Sequence, residues 1–238
     1  MSTQTQQNPA VVLVHAAWAD GSSWAKVIAG LRRVGITTQS VQLPLTSLSE
    51  DAAAVRRTLG RLGGPAIVVG RSYGGAPMTV AATGVSEVKG LVYFAAMAPD
   101  ESETVGELLH RAPPHPMSAK LAPDSDGYIW MSAEGFANSV APKATSDEIA
   151  LMTAVQKPIA MRCLGQPAAK PAWREKPSWF LLAEEDRQIV PDTQRFMAGR
   201  MNAHVDAQNV DHSPNVTAPE TVTSLIRRAM RETGVHAC

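Results

Sequence analysis

At 238 residues with 45% hydrophobic and 18% charged side chains, the chain is long enough for one sizeable core and poorer in charge than an average domain at about 25%. Lys plus Arg and Asp plus Glu both number 22, for a net charge of zero, which excludes the electrostatic footprint expected of a nucleic-acid or anionic-membrane binder. No apolar run approaches the roughly 18 residues that a spanning helix needs.

The first apolar run, Val11 to Val14, is short and β-branched and predicts a buried strand ending at His15. Trp24, Val27, Ile28 and Leu31 recur at helical spacing, with Gly35 as the stop. Thr37 to Leu43 reads as a second strand before Pro44. Ser49 is expected to cap the next helix, whose stripe is Ala52, Val55, Leu59 and Leu62 and whose end is Gly63-Gly64. Ala66 to Val69, Leu91 to Ala95, Trp179 to Ala183 and His204 to Val210 are four more strands, with a small-residue helix over Gly75 to Ala82. Thr217 and Glu220 fit a capping box ahead of the stripe Val222, Leu225, Ile226 and Ala229. Strands alternating with helices predict a mostly parallel sheet covered on both faces.

Residues 100–176 break this rhythm. They hold eight of the 17 prolines, including Pro113-Pro114 and Pro116. One helix is expected at Ser146 to Gln156, with Ile149 and Met152 inward. The apolar Tyr128, Ile129, Trp130, Met131 and Phe136 predict a packed cap. The expected organisation is therefore a core of residues 1–99 and 177–238 with a cap of residues 100–176.

Gly70-Arg71-Ser72-Tyr73-Gly74 matches G-x-S-x-G directly after the third strand and before a helix. A sharp strand-to-helix turn of this kind presents a serine hydroxyl at the sheet edge. Such a hydroxyl needs a base and an orienting acid to become a nucleophile. His212 follows the last strand, whereas His110 and His115 fall in the cap and His236 near the end, so His212 is the expected base. Glu184-Glu185-Asp186 follows the fifth strand. Asp186 is the favoured acid, with Asp100, Glu185 and Asp211 as its rivals. An oxyanion needs two preorganised donors. The N–H of Tyr73 is one, and the loop His15-Ala16-Ala17-Trp18 should supply the other. His15 itself, standing at a strand end, reads as structural. The side chain of Arg71 has no direction that spacing alone can assign.

With these residues in view, the chain resembles an α/β-hydrolase, within the branch of plant methylesterases, hydroxynitrile lyases and related bacterial esterases. The resemblance is carried by VVLVHAAWADGSSW, VVGRSYGG, LVYFAAMAPD, AEEDRQIVP and VDHSPNVTAPE, and it runs over nearly the whole chain. It implies an α/β-hydrolase sheet with an inserted cap, a triad of Ser72, Asp186 and His212, and an oxyanion hole from the N–H groups of Ala17 and Tyr73. Ala16 stands where the branch usually has glycine. The lyases have threonine there and a lysine after the catalytic histidine, where this chain has Ser213. Neither residue can serve a departing cyanide, so cyanohydrin cleavage is not expected.

The expected activity is hydrolysis of a small, mostly apolar carboxylic ester through an acyl-enzyme. Trp18, Met97, Tyr128, Trp130 and Met131 are the candidate pocket residues. Amide, thioester, lactone or carbon–carbon cleavage on the same residues is the alternative, as is a ligand-binding receptor on the same scaffold. No CxxC, HExxH or GKS/GKT motif occurs, so neither a metal nor an organic cofactor is implied. Neither nucleic acid nor membrane is an expected partner, and a homodimer is left open. Two cysteines, Cys163 and Cys238, make no disulfide framework, and the polar stretch Met1 to Asn8 lacks a secretory apolar segment. A cytoplasmic location is the expectation.

Overall fold

The structure is a computed structural model that describes residues 10–235. Met1 to Asn8, His236 and Cys238 lie outside the described residues.

The chain begins with β1 (Ala10–Val14), a 3₁₀ turn Gly21–Trp24, α1 (Ala25–Arg32), β2 (Thr37–Val41), α2 (Leu48–Leu62) and β3 (Ala66–Arg71). A 3₁₀ turn Ser72–Gly74, α3 (Gly75–Ala81) and β4 (Val88–Phe94) follow. The insertion contains α4 (Val105–Leu109), β5 (Tyr128–Ile129), α5 (Ala133–Gly135), a π-helical turn Phe136–Val140, α6 (Ser146–Val155), β6 (Ile159–Ala160), α7 (Met161–Gly165) and a 3₁₀ turn Ala172–Arg174. The chain then forms β7 (Ser178–Ala183), α8 (Pro191–Arg200), β8 (His204–Gln208), α9 (Pro214–Thr217) and α10 (Pro219–Glu232).

Six strands make one sheet in the order β2-β1-β3-β4-β7-β8, and every neighbouring pair is parallel. Both faces are buried, which is why the central strands read as continuous apolar runs. Alternate side chains serve opposite layers. Val11 and Leu13 of β1, Ile67 and Val69 of β3 and Val92 and Phe94 of β4 pack with Trp24, Val27 and Leu31 and with Val222, Leu225, Ile226 and Ala229 of α10. Val12, Val14, Val68, Leu91 and Tyr93 face the other layer, where α2, α3, α8 and the insertion bury Ala52, Val55, Met78, Met197 and Phe136. The insertion has its own antiparallel pair, β5 with β6. No helix among the described residues is long and apolar enough to cross a membrane.

Two caps differ from the sequence expectation. Ser47, not Ser49, caps α2, with its hydroxyl accepting from the N–H of Glu50. Its extended backbone (φ −162°, ψ 156°) suits the half-in position. The capping box at Thr217 and Glu220 does not form: α10 starts with Pro219 at its first turn and Ala218 as N-cap. A residue before proline is pushed out of the helical region, so Ala218 at φ −146° breaks the turn that Thr217 would have capped. Thr217 instead donates to Asp211 Oδ1 at 2.7 Å. The same T-x-x-E spacing does make capping boxes at Thr104/Glu107 of α4 and Thr145/Glu148 of α6, where no proline intervenes. On α6, Ile149 and Met152 are half-buried, and Leu151 and Val155 are exposed.

Candidate active site

β3 runs straight into the turn Ser72–Gly74, and Ser72 sits in the left-handed region at φ 52°. A non-glycine residue there costs about 1–3 kcal/mol and persists only where its surroundings enforce it. Those surroundings are specific. Ser72 O accepts from Met97 N at 2.9 Å, which ties the turn to the segment after β4. A Cβ on Gly74 would overlap the carbonyl oxygens of Val14 and His15, and one on Gly75 would overlap Met97 O. Two glycines are needed because the turn is wedged between two other strand ends.

His212 lies two residues past Val210 in the loop after β8 and is buried. Its neighbour Asp211 anchors that loop. Asp211 Oδ1 accepts from Ser213 N–H and the Thr217 hydroxyl, and Oδ2 accepts from Lys143 N–H of the insertion. His212 Nε2 stands 2.8 Å from Ser72 Oγ, and Nδ1 stands 2.7 Å from Asp186 Oδ2. Asp186, after β7, is 1% exposed. Its Oδ1 accepts from the N–H groups of Gln188 and Ile189 at 2.7 and 2.9 Å, and its Oδ2 accepts from Gln194 Nε2 at 2.8 Å. Gln194, on α8, also accepts from Ala183 N–H at 3.0 Å and donates to Ile189 O, so it staples the aspartate loop to the end of β7. An acceptor-only carboxylate held in this way keeps the proton on Nδ1 and turns the Nε2 lone pair toward the hydroxyl.

The rival acids are engaged elsewhere. Asp100 pairs with Arg174 at 2.5 Å, Glu185 pairs with Lys143 at 2.8 Å, and Asp211 is committed as above. The His15 side chain is structural. Nδ1 donates to Ala16 O at 2.9 Å, and Nε2 accepts from Leu43 N–H at 2.9 Å. That pattern fixes a neutral imidazole, and burial lowers its pKa to about 4, partly opposed by the Ala16 bond. Ala16 does not take the left-handed conformation that a glycine would favour. The strain falls instead on Trp18, at φ 55°, whose indole N–H donates to Ile129 O of the insertion at 2.9 Å.

Tyr73 follows the serine, and its hydroxyl donates to Asp51 Oδ2 at 2.6 Å, while Asp51 Oδ1 accepts from Leu45 N–H at 2.7 Å. Burial raises the Asp51 pKa, and these hydrogen bonds oppose the rise. Cys163 of α7 lies 3.7 Å from the same carboxylate, and burial raises its thiol to about 12. The turn is thereby pinned to α2 and to the insertion at once.

Ser72 opens into a small cavity. Ala17, Trp18, Tyr73 and Met97 line it from the core; Val105, Leu109, Leu121, Ile159 and Leu164 line it from the insertion. Trp18 and Met97, two of the candidate pocket residues, are among these lining residues. Tyr128, Trp130 and Met131 do not line this cavity: Trp130 is 53% exposed and donates to Asp124 Oδ2 at 3.0 Å, and Met131 is buried against Gly135. The stretch containing these three meets the site through Ile129, whose carbonyl accepts from Trp18 and which pairs with the lining residue Ile159. The insertion's lining residues were missed, although the Thr104/Glu107 spacing marked α4. No signal pointed to Gln194 or Asp51. Among the described residues no group of three or more His, Cys, Asp or Glu is placed to hold a metal ion.

Residues 11–225 match the Alpha/beta hydrolase family. The chain belongs to that family. Among curated relatives, the probable hydrolase R7 of a Phoma species is 26% identical over 240 residues, covering 92% of this chain and 96% of that protein. Among solved structures, polyneuridine aldehyde esterase aligns with a TM-score of 0.80 at 15% identity, covering 93% of this chain and 99% of that one. The methylesterase MES16 from Arabidopsis aligns with a TM-score of 0.75 at 19% identity, covering 94% and 99%. The α/β-hydrolase fold is therefore shared with enzymes of far-diverged sequence, and this chain is an enzyme of the α/β-hydrolase type.

Proposed function

We propose that the protein is a serine hydrolase of the methylesterase-like branch that cleaves small, mostly apolar carboxylic esters. The observation that carries this reading is the hydrogen-bonded row Ser72–His212–Asp186 beneath an apolar cavity. Ser72 Oγ attacks the ester carbonyl as His212 Nε2 takes its proton. The N–H groups of Ala17 and Tyr73 hold the tetrahedral oxyanion. Collapse expels the alcohol, which receives the proton from His212. Water, deprotonated in turn by His212, attacks the acyl-enzyme and releases the carboxylic acid. Asp186 orients the imidazole and stabilises its cationic form. The cavity is small and favours a compact substrate. Its mostly apolar lining, in which Gln188 is the one amide, matches an apolar acyl or alcohol group better than a charged one. The names of the esterase and methylesterase relatives agree with an ester.

The test is intact-protein mass after treatment with a small fluorophosphonate. One adduct on the wild type and none on Ser72→Ala is expected, together with loss of esterase activity in the variant. Turnover by Ser72→Ala at the wild-type rate would overturn the nucleophile assignment. Ligand binding without turnover by the wild type would favour a receptor on this scaffold.

A further inference from the structure

A second groove lies beside the elbow, and Trp18 is the one residue common to its lining and that of the Ser72 cavity. Its walls are Trp18 and Ala19 on one side and Leu151, Met152 and Val155 of α6 on the other. Leu151 and Val155 are 62% and 44% exposed, so an apolar mouth is left open to solvent.

Arg71 lines the same groove and is only 3% exposed. Among the described residues its guanidinium makes one hydrogen bond, from Nη1 to Ser213 Oγ at 2.5 Å, and that hydroxyl donates onward to Val140 O. Nε and Nη2 are left without partners, although a guanidinium carries five donors. The carboxylates of Asp186 and Asp211 are near enough to favour its charge. Both are already filled by other donors, and neither accepts from Arg71. Burial lowers the guanidinium's pKa to about 10, which still leaves it a cation at neutral pH. The other charges at the groove are satisfied: Lys26 bridges Glu148 and Val216 O, and Asp20 accepts from Ser22. Next to them Asn215 donates to Ser23 O while its buried Oδ1 has no partner. The groove thus joins an apolar wall to a largely buried guanidinium with N–H donors to spare.

A planar carboxylate is the group that matches a guanidinium fork. We propose that this groove binds an amphiphilic monocarboxylate, with its apolar chain along Leu151, Met152, Val155 and Trp18 and its carboxylate on Arg71. Nothing in this site depends on the reaction at Ser72.

The test is calorimetric titration with octanoate, using octan-1-ol as the same chain without charge and acetate as the charge without a chain. Saturable one-to-one binding of octanoate is expected, with octan-1-ol and acetate each at least about tenfold weaker, in line with a charged hydrogen bond partly withdrawn from water. Arg71→Met should weaken octanoate by a similar factor and leave octan-1-ol unchanged. Leu151→Glu, a surface change that does not endanger the fold, should also weaken octanoate by placing a like charge at the mouth. Leu109→Trp, which fills the Ser72 cavity instead, should leave octanoate binding intact. No binding to the wild type, octan-1-ol as tight as octanoate, or wild-type affinity in a folded Arg71→Met overturns the assignment. So does loss of binding in Leu109→Trp with retention in Leu151→Glu. If Arg71→Met fails to fold, octan-1-ol and Leu151→Glu decide.

Discussion

His15 makes the loop before Trp18 sensitive to acid. In the folded protein its imidazole donates to Ala16 O and accepts from Leu43 N–H, and it titrates near 4, whereas an exposed histidine titrates near 6.5. As pH falls below about 6.5, the unfolded chain takes up a proton at this residue that the folded chain refuses. Stability is then lost with falling pH, and the loss is complete below about 4, where both states are protonated. The difference between the two pKa values corresponds to about 3 kcal/mol in full, and to about 1 kcal/mol by pH 5.5. His15→Gln keeps one donor and one acceptor and removes the titration. Urea unfolding of both proteins between pH 8 and pH 5 isolates the contribution of His15 as the difference between the two stability curves. The wild type should lose about 2 kcal/mol more than the variant over that range. Parallel curves would refute the claim that His15 is held neutral by burial.

Three further outcomes follow from the same geometry. Asp186→Asn should lower kcat by roughly 10⁴-fold in ester assays, because an amide N–H donating to Nδ1 would hold His212 in the wrong tautomer. Gln194→Leu strips a donor from Asp186 and an acceptor from Ala183 N–H. It should cost about 1–3 kcal/mol in denaturant titration and lower kcat more than it raises KM. Gly75→Ala should abolish fluorophosphonate labelling, because the new methyl group overlaps Met97 O and displaces the turn; labelling at the wild-type rate would show that the turn can give way.

What could be read from the sequence about this protein was local. The strands at Val11, Ile67 and Trp179 are apolar because parallel strands are covered on both sides, and that leaves a mark in consecutive residues. Gly70 to Gly74 and its flanking strand and helix mark the elbow, because the strain at Ser72 must be relieved within a few residues. His212 and Asp186 were legible by their places after strands. The caps were misplaced where competition was equally local but subtler, at Ser47 against Ser49 and at Ala218-Pro219 against Thr217.

Tertiary structure alone decided the rest. Gln194 and Asp51 are polar residues on helices, a pattern that normally signals exposure. They are buried because their partners, Asp186 and Tyr73, arrive from other elements. The cavity lining comes from insertion segments brought together across many residues, so periodicity within any one of them cannot say which side chains reach Ser72. Arg71 shows the same limit most directly. Its neighbour in sequence is Ser72, but its hydrogen-bond partner is Ser213, so its direction depends on where the loop after β8 comes to lie. Backbone turns are written in adjacent residues, whereas buried polar partners and cavity walls are set by contacts between distant ones.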